Sequence, residues 1–232
     1  MCIFVIMIFL TGGTGLVGSH ILLKLCENNI PVRALKRQSS SLNICKKVFN
    51  YYNRQDLFNT IEWCTGNIND VPFLESSMSS CDYIIHAAAL VSFNKSDLED
   101  LKRINIEGTS NLMNVALSLG IKKVGYVSSV ASLGRNTTDK IVDEQCFFIA
   151  TKNESNYSLS KYFSEFTTVE SSKCIIRLLG IILNSSKLKV ISDISIVLFL
   201  SERVDCAKST DGINNKRTNI FVMNFKLNFI GF

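Results

Sequence analysis

The sequence predicts an α/β fold, a doubly wound parallel sheet with helices on both faces, on three observations. Strand-like and helix-like segments alternate through most of the chain, as parallel βαβ units require. The first apolar run, residues 2–10, is unbroken rather than alternating, which suits a strand buried on both faces. It passes through Thr11-Gly12-Gly13-Thr14-Gly15-Leu16-Val17-Gly18 directly into Ile21-Leu22-Leu23-Lys24-Leu25-Cys26, whose apolar residues recur at helical spacing. A glycine turn from strand to helix gathers backbone N–H groups and a positive helix end at one point, and that point suits a pyrophosphate. Gly12, Gly13, Thr14, Gly15, Leu16, Val17 and Gly18 are therefore predicted to bind a dinucleotide.

Each later element has its own signal. Residues 32–35 read as the second strand and 61–64 as the third. Residues 72–79 read as a short helix capped by Asp70, with Pro72 in its first turn. Residues 83–85 read as the fourth strand. A long helix follows, opened by the capping box Ser96-x-x-Glu99, closed by Gly120, and striped with Leu98, Leu101, Ile104, Leu112, Val115 and Leu119. Residues 124–127 read as strand five, 157–170 as a helix and 174–177 as strand six. Ligands of such a sheet bind at the carboxyl ends of its strands. Residues 1–184 form this dinucleotide-binding unit. Residues 185–232 lose the rhythm and make an atypical tail, in which 190–200 is apolar enough for a strand or a short helix.

Bulk properties narrow the function. A chain of 232 residues, 47% hydrophobic, can bury one good core and a small second lobe. Two prolines and 19% charged residues exclude a disordered chain. The net charge of +5 is mild, and no Lys/Arg block interleaved with aromatics points to nucleic acid. Eight scattered cysteines without a C-x-x-C pair suit free thiols in a reducing cytosol, and two separated histidines suggest no metal site. The apolar start lacks a basic leader, runs into the glycine turn and is too short to cross a bilayer, so a cytoplasmic protein without a membrane partner is expected.

A second constellation lies downstream. Tyr157-Ser158-Leu159-Ser160-Lys161 puts a phenol and an ammonium four residues apart, on one face of a helix. A tyrosine ordinarily titrates near ~10. A neighbouring cation favours the phenolate, as proton donation to a carbonyl at neutral pH demands. Strand five ends in Ser128-Ser129, which places hydroxyls at the ligand-binding edge of the sheet.

Taken in order, the TGGTGLVG turn, His86-Ala87-Ala88-Ala89, Asn105-Ile106-Glu107-Gly108-Thr109, Ser128-Ser129 through Gly134, and Tyr157-x-x-x-Lys161 resemble the extended short-chain dehydrogenase/reductase family. Its fold is the NAD(P)-binding Rossmann fold. The stretches Ala89-Leu90-Val91-Ser92-Phe93 and Asn156-Tyr157-Ser158-Leu159-Ser160-Lys161 look closest to the dihydroflavonol-reductase-like branch. The resemblance covers about residues 3 to 184. It implies Tyr157 as general acid/base, and Lys161 as modulator of that phenol and clamp on the nicotinamide ribose. It further implies Ser129 as the group polarising the carbonyl, Asn105 as a support of the active site, and Ala87, Ala88 and Ala89 along the cofactor. A homodimer built on the long helix and the helix starting near Tyr157 is implied as well.

Strand two sets the cofactor. Sites for NAD usually end this strand with a carboxylate for the ribose 2′-hydroxyl. Here it ends Leu35-Lys36-Arg37, with Lys36 in the acidic position. A guanidinium can bind a 2′-phosphate through paired hydrogen bonds. NADP(H) is therefore expected ahead of NAD(H), with Arg37 as main contact and Lys36 as the lesser one. Gly66-Asn67-Ile68 stands where the family has Gly-Asp-hydrophobic, and makes Asn67 and Ile68 the expected adenine contacts.

After strand six the family's proline and glycine are replaced by Leu179 and Asn184, and the 48 residues that follow do not resemble a substrate lobe. A truncated or frame-shifted tail is the expectation. The function expected is an NADP(H)-dependent carbonyl reductase acting on a small molecule. A nucleotide-sugar epimerase or dehydratase with bound NAD, and a non-catalytic dinucleotide-binding protein, are the alternatives.

Overall fold

The first strand starts where a neighbour becomes available to pair with it. β1 spans Ile8–Thr11. Ile8 lies opposite Val32 in a parallel register, and its N–H donates to the Pro31 carbonyl at 3.0 Å. Of the run predicted as strand from residue 2, the described part pairs from Ile8, with Ile6 ahead of it exposed, and residues 2–5 lie outside the described residues. Apolarity marks a segment for burial, not the residue at which a ladder begins. The structure, a computed structural model, describes residues 6–133, 148–149, 154–171, 174–178, 196–202 and 221–223.

In chain order β1 is followed by α1 (Leu16–Glu27), β2 (Val32–Lys36), α2 (Asn43–Tyr51), α3 (Gln55–Phe58), β3 (Glu62–Thr65), α4 (Val71–Met78) and β4 (Tyr83–His86). Then come α5 (Leu98–Leu101), a π-helical segment (Lys102–Glu107), α6 (Gly108–Ser118), β5 (Lys123–Val127) and α7 (Asn156–Ser171). β6 (Cys174–Leu178), β7 (Ile196–Glu202) and β8 (Phe221–Met223) complete the described elements. The sheet order is β3-β2-β1-β4-β5-β6-β7-β8. β1 to β6 run parallel, while β7 and β8 pair antiparallel. The chain winds outward from β1 to β3 and returns to the other side of β1 with β4. The winding thus reverses between β1 and β4, and a crevice opens at their carboxyl ends.

All four residues of β1 are buried, as the unbroken apolar run requires. Successive residues feed opposite faces. Phe9 joins Ile84, Leu74, Met78, Leu112 and Met113 under α4 and α6. Leu10 joins Leu22, Leu23, Val32 and Phe49 under α1 and α2.

Several local readings hold and others are corrected. The Asp70 carboxylate accepts from the Phe73 N–H at 3.1 Å and so caps α4, with a proline in its first turn. Gly120 adopts φ +69° and lets the Ile121 N–H reach the Ala116 carbonyl, which ends α6. The capping box at Ser96 and Glu99 does not form. Ser96 Oγ donates to Asp97 Oδ1 (2.9 Å), Glu99 pairs with Lys102 (2.8 Å), and a 3₁₀ turn over Lys95–Asp97 leads into α5. Nearer partners take both side chains. The long helix is not one regular α-helix either, because the π-helical segment interrupts it. Leu119, past the last turn of α6, is exposed instead of continuing the stripe. In the tail, residues 196–200 of the apolar run belong to the strand β7, while residues 190–195 lie outside the described residues. Gly134, Leu179 and Asn184, with the boundary at residue 184, lie outside the described residues.

Candidate functional site

The glycine turn lines the crevice between β1 and β4. Gly12 sits at φ +78°, a backbone region that side chains rarely occupy. A Cβ there would stand 2.5 Å from the Ala87 carbonyl group and 2.6 Å from the Ala88 nitrogen. At Gly18 a Cβ would run into the Gly12 carbonyl. The first glycine thus lets the β1 and β4 exits approach, and the last lets α1 lie against the turn. A Cβ at Gly15 would meet only the Gly12 oxygen at 3.5 Å. Gly15 precedes α1 with no side-chain cap, and the first turn of that helix holds no acid. Leu16 and Val17 are half-buried, as are Thr14 and Gly15, while Gly13 is buried. An open, uncapped helix N-terminus behind a glycine turn fits a pyrophosphate.

Behind the turn runs a buried hydrogen-bond chain. Thr11 Oγ1 lies 2.6 Å from His86 Nδ1 and accepts from the Ala88 N–H at 3.2 Å. His86 Nε2 lies 2.9 Å from Thr109 Oγ1, whose proton goes to the Asn105 carbonyl at 2.5 Å. With that proton committed, Nε2 donates to Thr109 and Nδ1 accepts from Thr11. Complete burial, and secondarily the positive charge of Lys161, push His86 down to about 3, so the ring is neutral. Ala87 and Ala88 are held on this frame, half-buried, while Ala89 is exposed.

Asn105 belongs to the π-helical segment and is buried. Its amide brackets one residue: Nδ2 donates to the Leu90 carbonyl (2.9 Å) and Oδ1 accepts from the Leu90 N–H (2.7 Å). Nδ2 also donates to Ser160 Oγ (2.9 Å), and the Asn105 carbonyl accepts from Ser164 Oγ (2.6 Å). The loop after β4 and helix α7 are therefore joined through one side chain. Single π turns concentrate at functional sites.

Among the described side chains of α7 the buried ones are polar: Ser158, Ser160, Lys161, Ser164, Glu165 and Thr168. Tyr157 is half-buried and meets the Phe93 ring edge-on at 5.8 Å. Lys161, 2% exposed, donates to Tyr126 Oη (2.7 Å) and the Val127 carbonyl (3.0 Å), with its ammonium 4.3 Å from the Tyr126 ring centre. Burial pushes its ammonium down to about 8, against the opposing pull of the Glu165 carboxylate. Tyr157 and Lys161 share a helix face, but among the described residues no hydrogen bond joins them. Ser129 opens the turn after β5, and its Oγ accepts from the Ala131 N–H (3.2 Å).

On the other side of β1, Lys36 closes β2 half-buried and Arg37 follows, exposed. Asn67 is exposed, and its Oδ1 accepts from the Asn69 N–H at 3.0 Å. Ile68 is buried in the core beneath α4 and α6, so its side chain packs there rather than lining a surface. Among the described residues no three His, Cys, Asp or Glu side chains gather to hold a metal. Cys26, Cys45, Cys64 and Cys81 are free thiols. No helix of the described residues is long and apolar enough to cross a membrane.

Sequence reasoning missed Tyr126, Glu165, Ser132 and the partners of His86. A signal existed for α7, where polar residues recur at 158, 161, 164, 165 and 168 while Phe163 and Phe166 are left exposed. A helix with its polar stripe turned inward marks a face that serves chemistry rather than burial.

Comparison with known proteins shows the family. Residues 8–182 match the NAD dependent epimerase/dehydratase family. A Synechocystis sp. protein named "Putative dihydroflavonol 4-reductase" is 36% identical over 157 residues, covering 68% of this chain and 42% of its own length. Anthocyanidin reductase of Arabidopsis thaliana is 28% identical over 173 residues, 70% of this chain and 50% of that protein. The chain thus spans about half the length of these curated relatives. The Bordetella bronchiseptica enzyme WbmH, solved in complex with NAD+, superposes with a TM-score of 0.60 at 19% identity, over 75% of this chain and 55% of that one, and so shares its fold. With an open glycine turn at the switch point, a Tyr-x-x-x-Lys helix against β5 and a family match across both, the chain belongs to the NAD dependent epimerase/dehydratase family, the extended short-chain dehydrogenase/reductases.

Proposed function

We propose that the protein is an NADP(H)-dependent oxidoreductase that reduces the carbonyl of a small molecule, with Tyr157 as proton donor. The observation that carries this reading is the seating of Lys161. One turn from Tyr157, its ammonium is bound at the carboxyl end of β5, two residues before Ser129. A nicotinamide bound at the switch point would supply the hydride for the carbonyl carbon. The N–H groups of the 12–18 turn would hold the pyrophosphate, Ala87, Ala88 and Ala89 would border the cofactor, and Asn67 with the Ile68 backbone would contact the adenine. Ser129 Oγ donates a hydrogen bond to the substrate oxygen. Tyr157 Oη delivers the proton as charge develops there. Lys161 lowers the cost of the phenolate left behind and holds the ribose hydroxyls, while Asn105 keeps Leu90 and α7 in register.

Exposed Phe93 against Tyr157, with exposed Val91 on the same loop, favours an apolar substrate. Exposed Leu117, Phe163 and Phe166 on α6 and α7 offer the surface on which two copies would pair.

The test starts from the purified chain, scored for NADPH oxidation with a panel of aromatic and aliphatic aldehydes and ketones. Tyr157→Phe is expected to lower turnover by roughly 10²–10⁴ without changing the NADPH dissociation constant, as removal of a general acid does. Undiminished turnover in that variant overturns the assignment.

The cofactor choice rests on Lys36 and Arg37. Arg37→Ala is expected to weaken NADPH about tenfold or more, at least about 1.4 kcal/mol, and to leave NADH unchanged. Equal affinity of the parent for both cofactors refutes NADP(H) preference. The family match favours a second reading, a nucleotide-sugar epimerase or dehydratase. NAD retained by the protein through purification would support it.

A further inference from the structure

Glu165 is a buried carboxylate that the proposed reaction does not use. It is 4% exposed and lies one helical turn beyond Lys161 on α7. Its Oε1 accepts from Ser128 Oγ, and from Ser132 Oγ at 2.5 Å. Ser128 and Ser132 flank the turn that begins at Ser129. Their hydroxyls lie 3.1 Å apart, and Ser132 Oγ also reaches the Ser129 carbonyl at 2.6 Å. The turn is further closed by the Ser132 N–H to the Ser129 carbonyl (3.0 Å) and the Ala131 N–H to Ser129 Oγ (3.2 Å). Lys161 grips the strand just ahead, at Tyr126 and Val127. Two charged side chains of α7 thus pin the exit of β5 on both sides of Ser129. An apolar residue would fill the place of Glu165 at lower desolvation cost, so packing alone does not explain a carboxylate there.

We propose that Glu165 is a positioning residue: by holding Ser128 and Ser132 it fixes the turn that aims the Ser129 hydroxyl at the substrate carbonyl. The proposal rests on the oxidoreductase reading for the role of Ser129, but not for the turn itself. Misplacing such a donor by about 1 Å can cost on the order of 10²-fold in rate.

The experiment uses the full chain with Glu165→Ala, Glu165→Gln and Ser132→Ala. Two readouts are taken: hydrogen exchange of the Ala131 and Ser132 amides, and kinetics with 4-nitrobenzaldehyde and NADPH. Glu165→Ala and Ser132→Ala are expected to speed exchange at both amides about tenfold or more while β5 stays protected. They should lower kcat about tenfold or more, with KM and the NADPH dissociation constant within about threefold. Glu165→Gln keeps an acceptor oxygen and is expected to recover most of both. If Glu165→Ala does not fold, Ser132→Ala, which removes one hydroxyl, decides alone. Unchanged exchange overturns the proposal, whatever the activity. So does unchanged kcat in these variants while Tyr157→Phe is inactive. Turnover that survives Tyr157→Phe counts against the oxidoreductase reading instead, and exchange then still judges the turn.

Discussion

At the scale of single residues, the weight falls on Lys161. Its spacing from Tyr157 is legible because i and i+4 share a helix face whatever the helix packs against. Its acceptors are not legible. Tyr126 and Val127 sit 35 and 34 residues away, on a different element, and only the fold brings them together. That burial has a consequence in solution. A lysine near its ordinary value stays charged far beyond neutral pH. Pushed down to about 8 by burial, Lys161 keeps its proton below that pH and loses it above. The NADPH dissociation constant should therefore rise as pH passes upward through about 8, in step with the loss of one proton. In Lys161→Met it should be weak and flat over the same range. Fluorescence titrations between about pH 7 and about pH 9 read this directly. A parent protein with a flat profile contradicts the role given to the ammonium.

At the scale of elements, what periodicity predicts it predicts well in kind and less well at the ends. Strands two to six and the helices at 72–79 and 157–170 agree with the structure to within about two residues, because their apolar patterns follow the faces they bury. Among the described residues the β1 ladder begins at Ile8, opposite Val32 and beside the Pro31 carbonyl. The π-helical segment was illegible for another reason. One extra residue in a turn shifts the stripe without erasing it, and Leu101, Leu112 and Val115 remain buried on either side. The shift instead brings Asn105 inward, where Leu90 and Ser160 take its amide. Asn105→Ala removes the partner of both Leu90 backbone groups, at a cost of about 1–3 kcal/mol. Thermal denaturation should report that loss, accompanied by faster amide exchange at Leu90. A variant as stable as the parent, with Leu90 still protected, would mean that the loop after β4 holds itself.

At the scale of the whole molecule, alternation of strands and helices implied the parallel sheet, and the glycine turn implied where its ligand binds. Neither revealed what locks together β1 and β4, between which the winding reverses. The lock is His86, with Thr11 before the glycine turn on one nitrogen and Thr109 at the head of α6 on the other. These partners are 75 and 23 residues distant in sequence, so the motif His86-Ala87-Ala88-Ala89 could flag the histidine without naming its contacts. A ring held neutral in this way makes folding sensitive to acid. The unfolded chain takes up a proton near the ordinary histidine value, whereas the folded ring resists until about 3. Between those limits the unfolded state binds one more proton, so stability falls as pH falls, by about 1.4 kcal/mol for each unit. The contribution is whole above about pH 6.5 and fades on acidification toward 3. His86→Gln abolishes that titration while offering an amide to the same two hydroxyls. Urea unfolding at about pH 6.5 and about pH 5 should show the parent losing about 2 kcal/mol more than His86→Gln over that interval. The comparison cancels the carboxylates common to both proteins. Parallel losses would mean that the histidine takes a proton without unfolding the chain, and the neutral bridge between Thr11 and Thr109 would have to be abandoned.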